Sequence, residues 1–312
     1  MVRLTYADSK GAPLLGWQYR YDADGNRIET VDQKGGRIRY RYDKAGQLVE
    51  ESPEGEEPVR YSYSPGGNRI TKEVAKKTVA YRVGRGDQVV QAGQDTLVYD
   101  NQGNVMEIKG PGGARRYLYD PENRLIKVVT ADKKEIAYGY GPTGERAWRK
   151  DASGLTLFIT DGVNLQAELR EDLSPKTLYL HAPGVDRPVM MTREGRSSYF
   201  LPDATGNIMA LTDEKGAVTA GYGYDAFGNM KKGPGPSANP FAFSAREFDP
   251  ATGLYYFRSR YYDPEMGRFI SKDPVAPHLD RPLSLNPYLY AANNPLRYLD
   301  PYGQDFTPAE EL

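Results

Sequence analysis

The chain has 312 residues, with 41 basic and 42 acidic side chains, no cysteine and two histidines. Nearly balanced charge gives no long-range field for nucleic acid or an anionic membrane surface, so we expect no nucleic-acid partner. The lack of cysteine excludes disulfides and thiolate sites, and we predict no cofactor and no metal centre. The 33 Gly, 23 Pro and 25 Tyr are typical of turn-rich β structure rather than of a helical bundle.

The first feature in chain order is a short sequence repeat. Residues 19–28 read YRYDADGNRI, and the pattern returns at 40–48 as YRYDKAGQL and at 61–70 as YSYSPGGNRI. After an interruption over residues 79–93, further copies begin at Tyr99, Tyr117, Tyr138 and Tyr222. A fixed period of about 21 residues predicts a repeat architecture.

Each unit predicts two strands joined by a tight corner. Tyrosines two residues apart project from the same face of a strand. The following Asp-x-x-Gly suits a turn, because Asp binds backbone amides ahead of it and Gly tolerates a positive φ. A lone hairpin is marginally stable, so the hairpins must lie side by side. The sequence therefore predicts an all-β fold of antiparallel hairpins in a curved strip or partial hollow shell.

Three later segments depart from the repeat. Alternating apolar residues over 155–192 predict that the sheet continues through more divergent hairpins. The Gly/Pro-rich stretch Gly233–Pro240 predicts an exposed loop that separates the strip from a C-terminal domain. Asn286–Asn294 is the one segment that we expect to be helical, for one or two turns ended by Pro295.

The repeats resemble the YD repeats of Rhs and wall-associated toxin proteins, toxin-complex C components and teneurins. Residues 248–274, FDPATGLYYFRSRYYDPEMGRFISKDP, and residues 284–303, SLNPYLYAANNPLRYLDPYG, closely resemble the Rhs-associated core domain. This resemblance implies a β-strip over 1–230, a core domain over 231–304 and a short tail over 305–312. It also implies that the strip closes into a shell, that the core domain plugs one end, and that a C-terminal toxin is held inside.

The length of the chain bears on this interpretation. The repeat period gives about ten hairpins, fewer than complete shells use, and residues 305–312 alone follow the core motif. A truncated shell, an orphan gene product and an expressed fragment all stay open. We expect the partners to be its own C-terminal cargo, the rest of a larger shell, or a second copy paired through open sheet edges.

The resemblance also implies a candidate reaction. In several relatives the core domain is a one-shot protease that cuts its own chain with two aspartates, which correspond here to Asp273 and Asp300. The cut would fall between Gln304 and Asp305. Two close carboxylates suit this chemistry because one can keep a proton while the other activates water. The protein is thus at most a single-turnover aspartyl autoprotease.

Several positions depart from the usual motif of the relatives. Ala276 replaces a glycine, Gln304 a common leucine, and Lys272 a common arginine. Asp-Pro also suits ordinary turns, so catalytic and structural roles stay open for both aspartates, and Asp120, Asp249 and Asp263 are expected to be turn residues.

The remaining hypotheses concern supporting residues and a second function. Arg268 and Lys272 are supporting candidates; Arg268 would pair with a carboxylate or orient the scissile loop, or simply hold the plug. The tyrosines are expected to line the packed face. The alternative function is a non-catalytic surface protein whose tyrosine-rich sheet binds glycan or protein.

No apolar run reaches the roughly 20 residues that cross a bilayer, and Met1–Pro13 lacks a signal-peptide pattern. The sequence therefore predicts a soluble protein that is either exported or displayed at the cell surface by a route without an encoded signal, or else cytoplasmic.

Overall fold

The computed structural model describes residues 1–232 and 239–309. Its main feature is a 22-stranded sheet, here called the wall, in which every strand pairs antiparallel with the next strand in sequence. The wall strands are β1 Val2–Ala7, β2 Pro13–Tyr21, β3 Arg27–Asp32, β4 Arg37–Tyr42, β5 Leu48–Pro53, β6 Val59–Tyr63, β7 Arg69–Val74, β8 Lys77–Val83, β9 Val89–Ala92, β10 Asp95–Tyr99, β11 Val105–Gly110, β12 Gly113–Tyr119, β13 Leu125–Val129, β14 Glu135–Tyr140, β15 Arg146–Asp151, β16 Gly154–Asp161, β17 Asn164–Arg170, β18 Pro175–His181, β19 Pro188–Arg193, β20 Arg196–Pro202, β21 Ile208–Thr212 and β22 Val218–Gly221.

The remaining strands form small separate sheets. They are β23 Gly223–Tyr224, β24 Met230–Lys232, β25 Glu247–Asp249, β26 Leu254–Phe257, β27 Arg260–Asp263, β28 Arg268–Phe269, β29 Tyr298–Leu299 and β30 Thr307–Pro308. Short 3-10 turns lie at Arg85–Asp87, Phe243–Ala245, Pro282–Leu285 and Ala291–Asn293. The prediction of an all-β fold built from antiparallel hairpins is confirmed.

Where a repeat carries the aspartate that the sequence pattern singled out, this residue closes the corner; at 64–68 the Ser64 hydroxyl accepts the corresponding amide. In the corner at 22–26, Asp22 Oδ1 accepts the amide of Asn26 at 2.8 Å, and the Asp22 amide donates to the Asn26 carbonyl at 3.0 Å. The Asn26 side-chain amide donates to the other carboxylate oxygen at 3.0 Å. Gly25 has φ +83°, which a residue with a Cβ adopts only with strain. Corners of this kind are called YD corners below.

The two tyrosines of a repeat unit differ in their contacts. The first is buried, as at Tyr19 and Tyr138. In several units the second donates its hydroxyl to a backbone carbonyl of the preceding hairpin, as Tyr42 does to Arg27 at 2.7 Å and Tyr63 to Leu48 at 2.8 Å. The Tyr119 hydroxyl, in contrast, is buried with no such partner among the described residues. Where both contacts are present, the buried first tyrosine and the hydrogen bond from the second join a hairpin to its neighbour.

The wall curves until its first strands meet its later ones. The Tyr6 hydroxyl, on β1, donates to the Pro202 carbonyl at 2.9 Å, and the Ala204 amide donates to the Tyr19 hydroxyl at 3.3 Å. Among the described residues, β1 and β22 do not pair, so the sheet stays open at both edges. The predicted curved strip is therefore confirmed.

Residues 239–309, here called the plug, pack against the YD corners. Asn294 donates to Asn26 and to the Gly46 carbonyl, both at 2.8 Å. Asn293 donates to Gln47 at 2.9 Å and to the Gly67 carbonyl at 2.7 Å. The side chains of the plug thus bind successive corners of the wall.

The predicted helix over Asn286–Asn294 is wrong. Only the 3-10 turn at Ala291–Asn293 falls inside this segment. Pro287 has no amide hydrogen to donate, and the asparagines of the segment are bound to the wall instead of to a helix.

The last YD copy leaves the wall. Strands β23 and β24 pair only with each other, and their corner at 225–229 reaches across to β5, where the Ala226 amide donates to Glu51 at 2.8 Å. Phe227 in this corner is fully buried against Tyr61. The loop predicted over Gly233–Pro240 lies largely outside the described residues. The helical turns in the described part of the chain span three or four residues, so none is long and apolar enough to cross a membrane.

Candidate functional site

Two loops of the plug bring Asp273 and Asp300 to one side chain. Asp273 follows β28, and its amide donates to the Pro287 carbonyl at 2.9 Å. Asp300 directly follows β29. Nη2 of Arg260 lies 2.7 Å from Asp273 Oδ2 and 3.0 Å from Asp300 Oδ2. The two aspartates that the motif pointed to therefore share one cation, although they belong to separate loops.

Sequence reasoning missed Arg260. It begins β27 and is almost fully buried, with its guanidinium 3.6 Å from the centre of the Phe269 ring. Its Nε donates to the Gly303 carbonyl at 2.6 Å and its Nη1 to the Pro287 carbonyl at 3.0 Å. Two buried acids need a buried cation, and Arg260 lies within the quoted core motif, so this requirement was the signal that could have identified it.

The surroundings of the two carboxyl groups favour their protonated forms. Burial raises the pKa of Asp273 to about 6, although Arg260 opposes the change. Burial also raises the pKa of Asp300, again against the effect of Arg260. Close acids with raised pKa values titrate as a pair, so the two groups can hold one proton between them at mildly acidic pH.

Asp300 begins a turn that resembles a YD corner. The Gln304 amide donates to Asp300 Oδ1 at 2.8 Å, and Gly303 has φ +68°. In the wall, the amide of the aspartate also binds the carbonyl of the fifth residue, but among the described residues no such bond joins Asp300 to the Gln304 carbonyl. The other carboxylate oxygen of Asp300 is bound to Arg260 instead of to the side chain of Gln304.

A small cavity lies between these groups. Its volume is about 30 Å³, and its lining includes Asp273, Asp300, Gln304 and Asp305. A water molecule needs roughly 10–15 Å³ of such space. The cavity thus has room for water beside the candidate scissile bond, and none for a separate peptide substrate.

The residue after the candidate cut is held by side chains of the same plug. Asp305 Oδ2 lies 3.1 Å from His278 Nε2 and 3.6 Å from Arg281 Nη1. A little further along the chain, β30 pairs with β29. The chain on both sides of the Gln304–Asp305 bond is therefore fixed by contacts within the plug.

The two supporting candidates lie elsewhere. Nη2 of Arg268 donates to the Asp87 carbonyl at 2.7 Å, and its guanidinium lies 4.7 Å from the centre of the Tyr288 ring, so this side chain ties the plug to the wall. Lys272 is exposed and lies against Gly103. The structure brings neither residue to the aspartate pair.

The other Asp-Pro aspartates bind turns or cations away from this pair. Asp120 closes a YD corner, and Asp263 Oδ1 accepts two amides of its own turn. Asp249 accepts hydrogen bonds from Arg149 at 2.8 Å and from the Tyr138 hydroxyl at 2.7 Å.

Comparisons with known proteins agree with this architecture. The sequence model of the Teneurin YD-shell family matches residues 29–296. The chain is 31% identical over 247 residues to the tRNA3(Ser)-specific nuclease WapA of Bacillus spizizenii, a match that covers 76% of this chain and 10% of that protein. It is 29% identical over 329 residues to the double-stranded DNA deaminase toxin A of Burkholderia cenocepacia, a match that covers 94% of this chain and 23% of the toxin.

Among solved structures, the crystal structure of TcdB2-TccC3-TEV matches 96% of this chain and 20% of that one, at 17% identity and a TM-score of 0.49. The chain thus spans about a tenth to a quarter of the length of these relatives.

Proposed function

The chain belongs to the Rhs/YD-shell family, and we propose that it forms part of a toxin shell and cuts itself once, between Gln304 and Asp305. The shell is proposed to continue in a longer protein or a partner chain, and to enclose a cargo at the C-terminal side of the cut. The toxin names of the relatives support export or display at the cell surface as part of this proposal.

The wall and the plug support the enclosing role. The wall curves until Tyr6 reaches Pro202, and the plug is bound to the YD corners along the rim. Bonds between buried side-chain amides and backbone carbonyls fix the plug with a defined register, because an unpaired buried amide is costly. A plug held in this way closes one end of the curve.

The observation that carries the proposed reaction is the sharing of Arg260 by Asp273 and Asp300 beside the Gln304–Asp305 bond. With one proton on the pair, the ionised carboxylate takes a proton from water, and the water oxygen bonds to the Gln304 carbonyl carbon. The protonated carboxyl gives its proton to the carbonyl oxygen as the tetrahedral intermediate forms.

The second half of the reaction returns the protons. One hydroxyl of the intermediate returns its proton to the carboxylate that had given one, and the carbonyl re-forms. The bond from the Gln304 carbon to the Asp305 nitrogen breaks, and the leaving nitrogen takes a proton from the carboxyl group that accepted one from water. One water is consumed, and the products are a carboxylic acid at Gln304 and an amine at Asp305, between which a proton then passes to give carboxylate and ammonium. No external substrate is needed, because the scissile bond belongs to the same plug.

The test is the intact mass of purified full-length protein beside its Asp273→Asn and Asp300→Asn variants. We expect the parent chain to end at Gln304 and both variants to end at Leu312. Asp120→Asn is the matched control, since Asp120 also precedes a proline but closes a wall corner. A parent chain that keeps residues 305–312 after incubation at pH 5–6 contradicts the proposed cleavage and leaves the shell role to be tested separately.

A further inference from the structure

Arg258 occupies a strained position beside the candidate scissile loop. It lies in the two-residue turn between β26 and β27, where Phe257 pairs with Arg260. Its φ is +58°, a left-handed conformation that costs a residue with a Cβ about 1–2 kcal/mol. Glycine would fit this turn with less strain, so an arginine here points to a use for its side chain.

That side chain joins two loops of the wall to the loop before the candidate cut. Nη2 donates to the Val163 carbonyl at 2.9 Å and to Asp186 Oδ1 at 2.7 Å. Nη1 donates to Asp186 Oδ2 at 3.0 Å and also to the Pro301 carbonyl. The side chain is only 14% exposed; its bonds to Asp186 and Pro301 are partly buried, and those to Val163 lie at the surface.

The next two residues continue the same pattern. The Ser259 hydroxyl donates to the Tyr302 carbonyl at 2.9 Å, and Arg260 donates to the Gly303 carbonyl at 2.6 Å. The two turn residues and the first residue of β27 therefore hold three consecutive carbonyls that precede Gln304. Of the three, Arg258 is the one that also binds the wall.

We propose that Arg258 is a positioning residue for the self-cleavage: through Val163 and Asp186 it lets the folded wall set the place of the Pro301–Gly303 backbone, and hence of the scissile carbonyl. The inference rests on the proposed cleavage. Cleavage then depends on a wall already folded around the plug, because a carbonyl displaced by about 1 Å from its attacking group can react about 100-fold more slowly.

The test compares cleavage rates of the full chain after refolding from urea. In Arg258→Lys a single amine replaces the planar guanidinium group, and it cannot bind both wall loops and Pro301 at the same time. We expect this variant and Asp186→Asn to cleave about 10- to 100-fold more slowly, with the same pH midpoint, since neither touches Asp273 or Asp300. Arg187→Lys is the matched control on the same wall loop, and we expect it to cleave at the parent rate.

Unfolding midpoints in urea separate positioning from general stability. Slower cleavage at pH midpoints equal to the parent's, in variants that are fully folded under the assay conditions, supports the proposal. Parent-like rates for both Arg258→Lys and Asp186→Asn overturn it, as does a slowing that disappears once the rates are corrected for the folded fraction.

Hydrogen exchange makes the inference testable even if the parent does not cut itself. In an Asp273→Asn background, which keeps the bond from Gln304 to Asp300, we expect Arg258→Lys to speed exchange of the Gln304 amide. An uncleaved parent with faster exchange in the variant overturns the proposed function and keeps the positioning role. Unchanged exchange overturns the positioning role itself.

Discussion

The YD corners of the wall and the turn at Asp300–Gln304 share a design and differ in how they are closed. In the wall corner at 43–47, Asp43 binds the Gln47 amide through Oδ1 and the Gln47 side chain through Oδ2, and its own amide binds the Gln47 carbonyl. Of these three bonds, the described turn at Asp300 keeps the first, at 2.8 Å. As in the wall corner, its glycine amide also donates to the aspartate carbonyl. Oδ2 of Asp300 is bound to Arg260.

This difference shows how a structural turn becomes a candidate reaction site. A closed corner uses the fifth carbonyl and the fifth side chain to stabilise the hairpin, so neither is free to react. In the plug, Arg260 takes the place of the Gln304 side chain on Asp300, and the cavity beside the pair reaches Gln304. The same amide bond then holds the residue before the cut in place.

The largest effect is expected from removing either carboxyl group. Asp273→Asn and Asp300→Asn should each slow cleavage by at least about 1,000-fold, because an amide neither accepts the proton of water nor supplies one to the leaving nitrogen. Mass spectrometry of protein incubated at pH 5–6 measures the effect. Asp43→Asn in a closed wall corner is the control; if it slows cleavage equally, the two kinds of corner are not functionally distinct.

A second substitution tests whether the contact of Arg260 with Asp300, which replaces the side-chain contact of a closed corner, is needed for cleavage. Arg260→Lys keeps the charge but cannot bind both carboxylates and the Gly303 carbonyl at once, so we expect cleavage to slow about 10- to 100-fold. Arg115→Lys, on wall strand β12, is the comparison. Cleavage of Arg260→Lys at the parent rate would show that the guanidinium geometry is dispensable.

The pH profile tests the shared proton. The pKa of Asp273 is raised to about 6, so its carboxyl is protonated below that pH and ionised above it. We expect cleavage to slow as pH rises above about 6, by roughly tenfold per unit once the pair has lost its proton. A rate that instead increases steadily from pH 6 to pH 8 contradicts the assignment.

The smallest expected effect compares two corner glycines. Gly46 has φ +77° and Gly303 +68°, so alanine is strained at both, by about 1–2 kcal/mol of unfolding free energy. A Cβ at Gly46 meets open space, whereas one at Gly303 would overlap the Phe257 carbonyl oxygen. We expect Gly303→Ala to cost about 1–3 kcal/mol more in urea unfolding and to slow cleavage. An equal loss of unfolding free energy in Gly46→Ala and Gly303→Ala would contradict the tight packing of the scissile loop.

Much of the fold depends on contacts between residues that are close in sequence, and this part could be predicted. The corner at Asp22–Asn26 depends on contacts within a single turn, and the spacing of Tyr19 and Tyr21 sets one face of a strand. The side-by-side pairing of neighbouring hairpins follows from the sequence repeat of about 21 residues. The family resemblance was also sufficient to select Asp273 and Asp300, which the structure brings to one cation.

The parts that escaped prediction depend on contacts between distant residues. Arg260 is defined by two acids that lie on separate later loops of the plug, and no spacing rule links them to it. The helix expected at Asn286–Asn294 fails because its asparagines bind corners near the start of the chain. The departure of the last YD hairpin from the wall has the same origin, since Phe227 packs on the distant Tyr61.

The most direct test of self-cleavage at the Asp300 turn is to refold the full chain at pH 5.5 in water enriched in oxygen-18 and to follow both products by mass spectrometry. We expect a released peptide that begins at Asp305 and one heavy oxygen in the new carboxylate at Gln304, with neither product formed by Asp300→Asn. An intact chain, or a cut at another bond, would contradict the claim that the Asp300 turn is an opened corner built for self-cleavage.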